Sequence, residues 1–143
     1  MSFKEKPDFN SSHRSIADAL MAPTILYYPH LKNLIKNELI SGISHITGGG
    51  LVSNVPRMLP QNLSASIKKD TFYSNEIFKW FQNIASISDE EMFKTFNCGL
   101  GIVLCVNKNN YKKFVNLISD GDLPIFEIGK IHNTQSDARC TIL

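Results

Sequence analysis

With 143 residues, the chain has the length of one domain and can bury roughly two thirds of the surface its unfolded form exposes, enough to fold without disulfides. Hydrophobic residues make up 43% and charged residues 20%, with a formal charge of +2; that balance is ordinary for a globular protein and excludes a partner chosen by bulk charge, whether nucleic acid or anionic membrane. No apolar run approaches the roughly 20 residues of a membrane span, and the polar N-terminus does not read as a signal peptide.

Residues 1–12 are polar, contain Pro7 and show no periodicity, which reads as a flexible lead-in or the remnant of something longer. Ser11 or Ser12 then caps a helix running to Leu20, with Ile16, Ala19 and Leu20 on one face, and Ala22-Pro23-Thr24 breaks it. Pro29, as the first helical residue, opens a second helix with Leu31, Leu34, Ile35 and Leu39 at amphipathic spacing, and Gly42 ends it.

The following stretch, Ile43-Ser44-His45-Ile46-Thr47-Gly48-Gly49-Gly50-Leu51-Val52-Ser53-Asn54-Val55-Pro56-Arg57, organises the rest. It begins as a strand, passes through consecutive glycines that allow positive φ and close approach of a ligand to the backbone, and continues as a first helical turn at 51–54. Free N–H groups at a helix start favour an anion, and Arg57 adds a planar charged fork suited to phosphate. The pattern is neither a Walker loop nor a dinucleotide fingerprint, and a glycine run also serves as a plain tight connection. His45, preceding an apolar strand residue, reads more readily as a hydrogen-bonded structural histidine than as a catalytic one.

Further along, Pro60-Gln61-Asn62 is a turn and 64–67 a short strand. A helix from Asn75 carries Ile77, Phe78, Phe81 and Ile84 on an apolar stripe around Trp80, which is expected to pack in the core. Ser88-Asp89-Glu90-Glu91 is a capping box that opens another short helix, with its acidic residues serving the helix start. Residues 97–106 end in a continuous apolar run, as in a central strand buried on both faces, and Gly99 and Gly101 share one face where something must come close. Tyr111 to Ile118 is a helix, Gly121-Asp122 a turn, and 125–131 a strand with a bulge or close approach at Gly129.

Cys98, Cys105 and Cys140 have no metal-ligand spacing; an odd number in apolar surroundings points to reduced, buried thiols, a cytoplasmic protein and no metal site. The terminal Cys140-Thr141-Ile142-Leu143 has the form of a prenylation box but reads better as a closing strand. Alternating strands and helices give the expected fold class, α/β (α+β), with a mixed sheet covered by helices.

Four motifs occur in order: Asp18-Ala19-Leu20-Met21-Ala22-Pro23-Thr24-Ile25, His45-Ile46-Thr47-Gly48-Gly49-Gly50-Leu51, Asn54-Val55-Pro56-Arg57 and Thr95-Phe96-Asn97-Cys98-Gly99-Leu100-Gly101. Together they resemble the C-terminal half of the phosphoribosylformylglycinamidine cyclo-ligase (aminoimidazole ribonucleotide synthetase) family, with Cys98 standing where that family usually has methionine. The resemblance implies ATP- and magnesium-dependent ring closure of formylglycinamidine ribonucleotide in purine synthesis, in a cleft between two domains. It implies substrate or phosphate binding by Thr47, Gly48, Gly49, Gly50, Asn54, Arg57 and Asn97, and an acid/base or orienting role for His45. Residues 13–143 then form the C-terminal, substrate-side domain. ATP and magnesium belong mainly to an N-terminal domain absent here, so the chain reads as a fragment, a split-gene half or a decayed gene product, inactive alone, whose partner is that half or a second copy. The missing half predicts self-association, with a neighbour approaching the Gly99 and Gly101 face. Two other readings remain: a non-catalytic phosphometabolite-binding module, and the C domain of a related selenophosphate synthetase or thiamine-monophosphate kinase.

Overall fold

The computed structural model describes residues 2–73, 76–118 and 123–143. The turn expected at Gly121-Asp122 and the helix start at Asn75 lie outside these residues.

Helix α1 (Ile16–Leu20) buries Ile16 and Ala19, and its cap is Ser15, whose side chain accepts from the Asp18 amide. The cap is thus not Ser11 or Ser12; the Ser11 hydroxyl accepts from the His13 amide one turn earlier. The 1–12 stretch lies alongside α1: the Glu5 and Phe3 carbonyls accept from Ile16 and Ala17, and Phe9 stands 5.3 Å from Trp80, ring centre to ring centre.

Helix α2 (Tyr28–Lys36) starts one residue before Pro29 and ends well before Gly42. Its end is a Schellman closure: Leu39 N–H reaches the Leu34 carbonyl, Glu38 N–H reaches Ile35, and Glu38 takes φ +54. The sequence shows no glycine there, and burial of Leu39 beside Leu34 holds the left-handed residue in place.

Strand β1 (Gly42–His45) pairs antiparallel with β3 (Ile102–Cys105), setting His45 opposite Ile102. Between them in sequence come α3 (Gly50–Asn54), a 3-10 turn over Val55–Met58, β2 (Leu63–Ile67), α4 (Glu76–Ala85) and α5 (Asp89–Thr95). After β3 follow α6 (Tyr111–Ile118), β4 (Gly129–Asn133) and β5 (Cys140–Ile142). The second sheet has the order β4-β2-β5, antiparallel on one side of β2 and parallel on the other. The mixed pairing and the covering helices agree with the α/β expectation, but the strands divide into two sheets.

The division corrects the reading of 97–106 as a central strand buried on both faces. β3 is four residues long, pairs only with β1 among the described residues, and fully buries only Val103. The central strand is β2, which buries Ser64, Ala65 and Ile67. The β1–β3 ribbon instead separates two apolar clusters: Val103 joins Leu51, Val55, Met92 and Phe93 on one side, while Ile102 and Leu104 pack with Leu31, Leu34 and Phe114 on the other. Alternation along a strand produces this split.

Helix α4 also departs from the expectation of a core helix. Phe78 and Phe81 lean on Phe96 at ring-centre distances of 6.4 and 5.3 Å, but no residue of α4 is fully buried and Ile84 is exposed. In contrast, Ser88 caps α5 through the Glu91 amide as the capping box requires. Strand β4 starts at Gly129, later than expected, where a side chain would run into the Ser66 carbonyl. Among the described residues, no helix is long and apolar enough to cross a membrane.

Candidate functional site

The turn from β1 to α3 is built by its two left-handed glycines, Gly49 at φ +93 and Gly50 at φ +56. A Cβ costs little in neither place: one on Gly49 would meet Ser53 Cβ at 3.0 Å, and one on Gly50 would strike the Phe93 carbonyl and lie 2.8 Å from the Phe96 carbonyl oxygen. Gly50 therefore lets α3 settle on the C-terminal end of α5. Gly48 has neither constraint, for its φ is not positive and a side chain there would project into open space.

Asn54 draws the turn inward. Its side-chain N–H₂ donates to the carbonyls of Thr47 (3.3 Å), Gly48 (3.2 Å) and Gly50 (2.8 Å), and it is 2% exposed. Its side-chain oxygen accepts from Arg57 Nη1 at 3.1 Å, and its backbone carbonyl accepts from the buried Ser44 hydroxyl at 2.9 Å. With its polar atoms committed inward, Asn54 has no free face for a ligand; it braces the turn and tethers the exposed Arg57. The amide of Gly50 turns back to the Thr47 carbonyl, whereas those of Gly48 and Gly49 find no acceptor among the described residues. With the carbonyls of Thr47, Gly48 and Gly50 held by Asn54, the Gly48 and Gly49 amides remain as uncommitted donors in a turn that Asn54 ties to the Arg57 guanidinium.

The remaining candidates lie around this turn in different ways. Exposed Thr47 accepts through its backbone and leaves its hydroxyl without a partner among the described residues. His45, at the end of β1, is exposed and meets Tyr27 edge to face at 6.1 Å. Asn97 uses its side-chain oxygen to accept the Gly99 amide at 3.1 Å, one peptide beyond the Phe96 carbonyl that approaches Gly50. The structure thus joins Thr47, Gly48, Gly49, Gly50, Asn54 and Arg57 in one bonded unit, with Asn97 behind it and His45 before it.

Sequence reasoning missed Tyr27. Its hydroxyl occupies the space left by the absent side chain of Gly101, with its ring carbon Cζ 2.8 Å from where a Cβ would stand, and burial raises its pKa. The close approach expected at Gly101 is therefore made by the chain itself, a long-range pairing with no local signal. Sequence reasoning missed Ser44 as well: alternation would turn apolar Ile43 inward, yet Ile43 is exposed and Ser44 is buried on the Asn54 carbonyl.

Other reactive groups are quiet. Burial pushes the Cys98 thiol up to about 12, with the Asp89 charge adding to it, and burial pushes Cys140 up to about 11. All three cysteines are unpaired, and Cys105 is half-buried with its pKa also raised by burial. Such thiols are poor nucleophiles. Among the described residues, no group of three or more His, Cys, Asp or Glu side chains could hold a metal ion.

Residues 2–139 match the family described as "AIR synthase related protein, C-terminal domain". The chain belongs to this family. Among curated members, it is 41% identical over 127 residues to the phosphoribosylformylglycinamidine cyclo-ligase of Geotalea daltonii, covering 89% of this chain and 36% of the relative. The corresponding enzyme of Cupriavidus pinatubonensis is 36% identical over 140 residues, covering 96% of this chain and 40% of the relative. That of Geobacter metallireducens is 42% identical over 118 residues, covering 82% and 34%. This AIR synthase related domain therefore spans at most about two fifths of the length of these cyclo-ligases.

Proposed function

We propose that the chain is the substrate-side part of a cytoplasmic cyclo-ligase of purine biosynthesis, closing formylglycinamidine ribonucleotide to aminoimidazole ribonucleotide. The observation that carries the reading is the uncommitted pair of amides at Gly48 and Gly49 in the turn that Asn54 ties to the Arg57 guanidinium. An anionic end of the substrate, its phosphate, fits such donors, and Thr47 can add its hydroxyl. His45 and Asn97 flank the turn, His45 as the acid/base or orienting group and Asn97 at the cleft edge.

In this reading the preceding domain of the enzyme holds ATP and magnesium, whose chemistry is the transfer of a phosphoryl group to the formyl amide oxygen. This chain's own residues fix the other end of the substrate. Held there, the amidine nitrogen is kept within reach of the activated carbon, so ring closure is intramolecular and phosphate leaves. The described residues supply no metal-ligating cluster, and magnesium is assigned no role on this chain.

The experiment is reconstitution. The chain alone is expected to form no aminoimidazole ribonucleotide, and addition of the preceding part of the Geotalea daltonii enzyme is expected to restore ATP-dependent formation. In that assembly Arg57→Ala should weaken substrate binding by roughly 1.5–3 kcal/mol, the worth of a charged hydrogen bond. Turnover by the homogeneous chain, or unchanged affinity in Arg57→Ala, would contradict the reading.

A further inference from the structure

A short strip between α1 and α2 concentrates exposed apolar side chains. Leu20 is 45% exposed, Met21 80%, Ile25 46%, Leu26 75% and Tyr28 68%. Isolated exposed apolar residues are common, but five within nine positions are a local concentration of the sort that marks an interface.

The backbone of the same strip is also unpartnered. Residues 22–27 carry no regular secondary structure, and Pro23 has no N–H to offer. The amides of Ala22, Thr24, Ile25 and Leu26 donate to no acceptor among the described residues, and their carbonyls accept from no donor. Free backbone groups flanked by exposed apolar side chains suit the addition of a strand, in which main-chain bonds give affinity and side chains give fit. Tyr27, in the middle, turns the opposite way, fills the space at Gly101 and touches His45. The strip therefore borders the candidate site.

We propose that this strip, from Met21 to Tyr28, is where the preceding part of a cyclo-ligase polypeptide docks. The matched family is a C-terminal domain, and the chain covers 34–40% of the relatives, so in them most of the polypeptide precedes the shared region. A segment present in every one of these relatives and next to this domain is the occupant that the strip fits. The inference rests on the cyclo-ligase reading and names where its partner sits. It also moves the expected contact away from the Gly99 and Gly101 face, where Tyr27 already stands.

The test combines this chain with the separately expressed preceding part of the Geotalea daltonii enzyme. Sedimentation gives the association, and hydrogen exchange locates it. A complex is expected in which the amides of residues 24–26 gain protection, and Met21→Asp with Leu26→Asp should weaken association at least tenfold without shifting the melting temperature of the chain alone. Absence of a complex, a complex without protection at 24–26, or unchanged affinity in the double variant would each overturn the proposal. Burial of the strip in a dimer of this chain alone would overturn it too, by naming a different occupant. A complex that docks through the strip yet closes no ring would remove the cyclo-ligase reading and leave the docking surface. Full ring closure by the double variant would do the reverse.

Discussion

The two glycine clusters, Gly48-Gly49-Gly50 and Gly99-Leu100-Gly101, carry the same message in sequence and different ones in space. At Gly101 the room is taken by Tyr27, and at Gly50 by the carbonyls closing α5. Gly49 is needed for its left-handed backbone. Gly48, of these glycines, has open space and no positive φ, and its amide has no acceptor among the described residues. A glycine thus says that something is close or that the chain turns; only when both reasons fail does it point outward to a ligand.

Substitutions can break this comparison, beginning where packing is tightest. Gly50→Val places a branched side chain against the Phe93 and Phe96 carbonyls in a left-handed residue, and should destabilise the fold by more than about 3 kcal/mol or prevent folding. Denaturant melts with intact stability would show that α3 does not rest on α5 as described. Next comes Asn54→Ala, which leaves three inward carbonyls without their shared donor and should cost about 2–3 kcal/mol. Thermal melts check the cost, and loss of Arg57 order by side-chain NMR checks the tether.

Gly101→Ala should cost about 1–2 kcal/mol, because the obstacle is the far end of a tyrosine that can move. The same change in a Tyr27→Phe background should cost less, since the hydroxyl is the nearest atom. Equal costs in both backgrounds would remove Tyr27 as the occupant. A smaller effect concerns the surface pair Lys69–Asp89. Hydrogen bonds from Lys69 and then Gln82 hold the Asp89 carboxyl below the usual carboxylate range. A depressed folded pKa gives stability that is present above about pH 4 and lost as pH falls through the folded value. Both side chains are more than two-fifths exposed, so solvent screens most of it. Asp89→Asn should flatten only a minor part of the acid limb of a stability-against-pH curve. Gly48→Val should move stability least, within about 0.5 kcal/mol.

Local chemistry made much of the fold legible. The Ser88 cap, the helix at Tyr111–Ile118, the glycine turn after β1 and the closing strand at Cys140–Ile142 all stand where side-chain spacing and turn residues put them. What escaped depends on partners far apart in sequence. Glu38, Ser86 and Cys98 take positive φ without being glycine, and the Glu38 turn is held by Leu39, which spacing alone assigned to the helix itself and which is buried in the cluster that includes the distant Phe114. The apolar run of β3 looked central because one ribbon serves two cores, which asks the same composition of both its faces. In the site, the residue types were legible but their directions were not. Asn54, expected in the binding set as a polar support, turns its amide to the carbonyls of the glycine turn and its oxygen to Arg57.

The central claim is that the uncommitted amides of the glycine turn hold the anionic end of a substrate. Its most direct test is a titration of formylglycinamidine ribonucleotide into the chain assembled with the preceding part of the Geotalea daltonii enzyme, with and without Gly48→Val. The account predicts at least tenfold weaker binding, about 1.4 kcal/mol, with an unchanged melting temperature. Equal affinity in the two assemblies would contradict it and leave the turn as a connection between β1 and α3.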